Sequence, residues 1–186
     1  MNIIQEIVEK YNGKYYESDT RKFHTPHGKY EIQPQKGIIN IDGTKITINK
    51  NENIGIDFNI GGSDKIFAEP YRIFFALKKN KKQLNIYPKS ILKKILSKLT
   101  FKKNEINQFE FKGDKELINE LIKNEKLNKN LNGETIYLSI NEKYLNKLML
   151  IPDNGIISIR KFEKYIEIMK LIEREIIKAP NKVYKQ

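Results

Sequence analysis

The feature that most constrains this chain is a change of hydrophobic period. Ile39-Asn-Ile41 and Ile46-Thr-Ile48 alternate apolar and polar residues on either side of Asp42-Gly43. Alternation places one set of side chains on one face of a strand, and an Asp-Gly pair supplies the two left-handed residues of a tight hairpin turn. The same period of two continues in Tyr30, Ile32 and Pro34 before the hairpin. After it, Ile54, Ile56, Phe58 and Ile60 alternate up to Gly61-Gly62. Tyr71 to Leu77 reads as a more continuously apolar strand, and Leu84 to Tyr87 can pair with it across the turn Lys78 to Lys82. These segments predict an antiparallel sheet of about five or six strands.

Helical spacing brackets the strands. Ile3, Ile4, Ile7, Val8 and Tyr11 share a helix face, Asn2 with Gln5 forms a capping box, and Asn12-Gly13 ends the segment. Glu17 to Gly28 is polar and reads as a loop. Ser90 to Leu99 predicts a second helix, with Ile91, Leu92, Ile95, Leu96 and Leu99 in one sector and Lys93, Lys94 and Lys98 in the other. Further on, Phe109 to Phe111 reads as a strand and Asp114 caps a helix from Lys115 to about Asn124. Asn132-Gly133 turns the chain. Strands are expected over Thr135 to Ile140, Lys147 to Ile151 and Ile156 to Ile159, and the longest helix over Lys161 to Lys178. The fold class is therefore α+β, a mainly antiparallel sheet covered by about four helices.

At 186 residues the chain suits one compact unit. The polar stretch after Phe101 leaves room for two parts, 1–101 and 107–180, with 181–186 as a tail. Cysteine is absent, which excludes disulfides, thiolate metal sites and a cysteine nucleophile. The N-terminal segment has no basic run followed by a long apolar core, and no stretch approaches a membrane span. A cytoplasmic protein is the expectation.

Charge is local. From Pro70 to Asn104 there is no Asp or Glu, while Arg72, Lys78, Lys79, Lys81, Lys82, Lys89, Lys93, Lys94, Lys98, Lys102 and Lys103 all fall there. The chain carries 35 Lys and Arg against 23 Asp and Glu, so those eleven cations account for nearly all of the net charge of +12. Such a stretch attracts phosphates or an acidic partner. The proposed contact residues are Lys78, Lys79, Lys81 and Lys82 on the turn and Lys93, Lys94 and Lys98 on the helix. Tyr71, Phe74, Phe75, Tyr87 and Phe101 are interleaved with them, and aromatics can stack bases where exposed. Two observations weigh against reading nucleic acid directly from charge. Of the 35 cations 31 are Lys and only four are Arg, a habit of AT-rich coding, and Arg makes the commonest specific contact to guanine. Any nucleic-acid binding would be sequence-tolerant. The basic helix is short, lacks Trp and lies between strands, which disfavours peripheral membrane binding.

Motifs for catalysis are thin. His24-Thr-Pro-His27 offers two imidazoles near Glu17, Asp19 and Glu31, but without a third ligand a polar surface loop is the simpler reading of His24 and His27. Phosphate loops and a nucleophile elbow are absent, and no cofactor motif occurs. Asp57 with Glu110-Phe-Lys112 resembles the acid and acid-x-lysine pattern of metal-dependent nucleases, a pattern that chance supplies readily in so charged a chain. The expected function is a non-catalytic binding or accessory protein presenting residues 70–104 to nucleic acid or to an acidic protein. The alternative is a metal-dependent enzyme acting on nucleic acid.

Overall fold

Asp42 and Gly43 both adopt positive φ, +50° and +76°, so the hairpin turn forms as its residues dictate. It joins β4 (Gln35–Ile41) to β5 (Thr44–Lys50), with Ile39 opposite Ile46 on one face and Ile38 opposite Thr47 on the other. The protein is described by a computed structural model that covers residues 2–25, 28–52, 54–57, 65–68, 71–78, 80, 82–89, 108–141 and 146–178. The expected helix over Ser90 to Leu99, Gly61-Gly62 and the 181–186 tail lie outside those residues.

The hairpin is part of an eight-stranded sheet. In spatial order its strands are β1 (Lys14–Glu17), β4, β5, β8 (Arg72–Ala76), β12 (Lys147–Pro152), β11 (Ile136–Ile140), β9 (Leu84–Pro88) and β10 (Phe109–Gly113). All its ladders are antiparallel. Two separate hairpins accompany it: β2 (Arg21–Thr25) with β3 (Gly28–Ile32), and β6 (Ile54–Asp57) with β7 (Lys65–Ala68). Four helices occur among the described residues: α1 (Ile3–Lys10), α2 (Lys115–Lys123), α3 (Glu125–Leu131) and α4 (Ile159–Lys178). The fold is α+β, as expected.

Burial follows the alternation. Ile39, Ile46, Ile48, Ile73, Phe75, Leu148 and Leu150 on one sheet face are each no more than 2% exposed. The helices pack there. α1 lies on β1 and β4, α2 on β10, and α4 packs against the other three and against β12. Gly37 faces α1 so closely that a Cβ would sit 2.8 Å from Ile4 Cγ2 and 2.9 Å from Val8 Cγ2. The helix ends are closed by the expected chemistry: the Asn2–Gln5 capping box is complete, and Asp114 Oδ1 accepts from the Leu117 amide at 2.9 Å.

Four expectations are corrected. Within the segment from Glu17 to Gly28, read as a loop, Arg21–Thr25 forms the β2 strand, since polar side chains are compatible with a hairpin that pairs apart from the main sheet. β8 and β9 do not form a hairpin; β12 and β11 stand between them. The Leu77 amide instead donates to the Asn146 carbonyl at 2.8 Å, extending the β8–β12 ladder. Apolar residues at alternate positions in both β11 and β12 make that hairpin the better filler of the sheet centre. Third, Ile156 to Ile159 is not a strand. Ser158 caps α4 there, its Oγ accepting from the Lys161 amide at 3.1 Å. Finally, the sheet has eight strands where five or six were expected, because the two halves of the chain contribute to one sheet.

Candidate functional site

The helices cover one face of the sheet, and among the described residues none lies on the other. Residue pairing across the ladders composes that second face row by row. One row crosses all eight strands: Lys14, Ile38, Thr47, Phe74, Met149, Ser139, Asn85 and Lys112. A parallel row contains Tyr16, Lys36, Asn49 and Arg72 on neighbouring strands. One step further along the β8–β12 ladder comes Ile151, which faces Tyr137. A shorter third row adds Lys45 beside Asn40, and Lys147 beside Ala76.

Between these rows lies an open groove of about 720 Å³, the size of a small-ligand site. Ile38, Phe74 and Met149 contribute apolar surface to it, and Lys36, Lys45, Arg72 and Lys147 contribute cations. The carboxylate of Glu52 also reaches it and accepts a hydrogen bond from Asn49 Nδ2. The strands of this face carry six cations, Lys14, Lys36, Lys45, Arg72, Lys112 and Lys147, against the single carboxylate of Glu110. Glu110 Oε1 accepts from the Tyr87 hydroxyl at 2.9 Å, and Lys112 Nζ lies 5.3 Å from the centre of the Tyr87 ring. That hydroxyl and the Glu110 charge together push the Lys112 pKa up, which keeps it cationic.

The two faces treat their charges differently. On the helical side lysines meet carboxylates: Lys10 with Glu163 at 2.7 Å, Lys126 with Glu167 at 2.7 Å, and Lys161 and Lys164 with Glu134 at 2.6 Å each. Lys36 and Lys45 are exposed on the strand face and make no ion pair among the described residues. The helical side is thus internally neutralised, while the strand face holds exposed cations.

The contact residues proposed from sequence are placed as follows. Lys78 is exposed, two residues beyond Ala76 at the end of the groove that carries Lys147. Lys82 is only 6% exposed, with its backbone N–H and C=O held by the Asn80 side chain. Lys79, Lys81, Lys93, Lys94 and Lys98 lie outside the described residues. Arg72, inside the acid-free window, is the one window cation among the described residues that the structure brings into the groove. Lys36, Lys45 and Lys147 were missed because each is a single cation in a charge-balanced stretch. The signal that finds them is positional: lysines at the outward positions of strands whose inward positions are apolar.

Of the candidates for chemistry, His24 is exposed on β2, facing Lys29 across the β2–β3 ladder, and His27 lies outside the described residues. Asp57 ends β6 in a different sheet from Glu110 and Lys112 on β10. Among the described residues no three His, Asp or Glu side chains converge as metal ligands. None of the described helices is long and apolar enough to cross a membrane. No protein-family model matches this chain, and neither a curated protein nor a solved structure resembles it significantly.

Proposed function

We propose that this chain is a non-catalytic binding protein that receives an anionic partner on the sheet face opposite the described helices. One observation carries the reading: the ladder register gathers Lys36, Lys45, Arg72 and Lys147 around the apolar surface of Ile38, Phe74 and Met149. Cations on a rigid sheet attract an anion over about 8 Å at physiological ionic strength, and half-buried apolar surface between them adds short-range affinity. The acid-free window supports the same reading, since Arg72 lies in the groove and Lys78 at its end.

The test is a salt titration of binding to oligonucleotides, with Lys36→Glu, Lys45→Glu and Lys78→Glu as variants. All three side chains are exposed, so reversal leaves the core untouched. Lys82 is unsuitable for this purpose because it is buried. Each cation that grips a single-stranded phosphate contributes about 0.7 to the slope of log affinity against log salt. The parent protein is expected to bind at low salt with a steep slope, and the Lys36→Glu, Lys45→Glu double variant to lose affinity and between one and two units of slope. Unchanged binding by the double variant would remove this face from the reading.

A further inference from the structure

Two of the exposed large hydrophobic side chains among the described residues are tyrosines on the same sheet face. Tyr16 is 48% exposed and Tyr137 is 47% exposed. Tyr16 begins the row that runs through Lys36, Asn49 and Arg72, and Tyr137 lies further across the sheet on β11, facing Ile151 of β12. Five inter-strand steps separate β1 from β11, a span of about 24 Å at the usual strand spacing. Phe74 lies in the adjacent row, midway across the sheet.

We infer that the anionic partner is a single-stranded nucleic acid, laid across the strands with bases stacked on Tyr16 and Tyr137 and phosphates held by Lys36 and Arg72 between them. The inference rests on the anion-binding reading above and narrows it. A polyanion without ring faces, such as an acidic peptide or polyphosphate, needs the lysines but gains little from tyrosine rings held out into water. Single strands use both parts, because every base has a π-face and every linkage has a charge. A duplex hides its base faces and could use only the cations. The span corresponds to a few nucleotides, at the lower end of site sizes for single-strand modules. The three apolar or aromatic positions Tyr16, Phe74 and Tyr137 impose no donor and acceptor pattern on the bases, and Arg72 is the only arginine on this face, so recognition is tolerant of sequence.

The experiment measures binding of a fluorescent oligothymidylate of about sixteen nucleotides, with inorganic polyphosphate, poly-glutamate and a duplex as competitors of matched charge. The proteins compared are the parent, Tyr16→Ala, Tyr137→Ala and the two Tyr→Phe variants, each checked for an unchanged melting temperature. The expected result is at least tenfold preference for the single strand, about tenfold loss for each alanine variant, and near-parent binding for each phenylalanine variant, whose ring still stacks. Equal competition by polyphosphate or duplex, with tyrosine variants that bind like the parent, would overturn stacking while leaving the anion-binding reading standing. Preference for poly-glutamate would overturn it in favour of an acidic protein. Failure to bind any of the four polyanions at low salt would overturn both readings together.

Discussion

Glu134 shows what a neutralised charge does in this molecule. It is 7% exposed, yet its two carboxylate oxygens each meet a lysine of α4, Lys161 and Lys164. Burial pushes its pKa up, and the hydrogen bonds from the two lysines outweigh that and hold it below the ordinary carboxylate value. A carboxyl with a lowered folded-state pKa contributes stability above its unfolded value and loses it as pH falls toward the folded one. Glu134→Gln is therefore expected to cost about 2 kcal/mol at neutral pH, an effect the size of charge-assisted hydrogen bonds lost from a site whose lysines can still reach water. The gap to the parent should close as the pH falls through the ordinary glutamate range and on to the lower folded-state value of Glu134, where the parent's carboxylate protonates too. Urea denaturation of both proteins at neutral and acid pH measures it; a gap that stays constant with pH would contradict the ionic account. Lys36 and Lys45 are the counterpart on the other face, cations without a carboxylate partner among the described residues. On the proposed reading, an outside anion would give them what Glu134 gives Lys161 and Lys164.

Among the elements, those set by local chemistry were legible and those set by distant pairing were not. The β4–β5 hairpin follows from Asp42-Gly43, α1 from Asn2 and Gln5, α2 from Asp114, and the α4 stripe from helical spacing. Where a segment's partner is remote, nearness in sequence misleads. β8 and β9 are joined by seven residues, 77 to 83, and still are separated by β12 and β11. The choice is made by the fit of Leu148 and Leu150 against Phe75 and Ile73, which no short window contains. The candidate face has the same origin. Its rows exist only once six or more strands are in register, so the acid-free window could announce one of its cations, Arg72, and none of its lysines. The seating of α1 tests the register at this edge. Gly37→Ala would force a methyl into Ile4 and Val8, and overpacking of this kind costs about 1–3 kcal/mol. Chemical denaturation is expected to show that loss. Full stability would mean that α1 does not press on β4.

At the scale of the whole molecule, helices and sheet divide the work. α1 to α4 bury one face of the sheet and balance their lysines with glutamates, which gives the sheet a rigid backing. The other face keeps cations, a half-buried apolar strip and two exposed tyrosines in fixed order. A rigid platform of this kind binds without reordering its backbone, so little affinity is lost to conformational entropy. The most direct measurement is amide hydrogen exchange with and without the oligothymidylate. Free, the central strands β5, β8 and β12 should exchange slowest and the β2–β3 hairpin fastest, as burial dictates. With the ligand bound, added protection is expected at β1, β4 and the turn after β8, where Tyr16, Lys36 and Lys78 lie, and none on α2, α3 or α4. Protection confined to the helices, with the strand face unchanged, would contradict the central claim that this protein binds through the sheet face opposite the described helices.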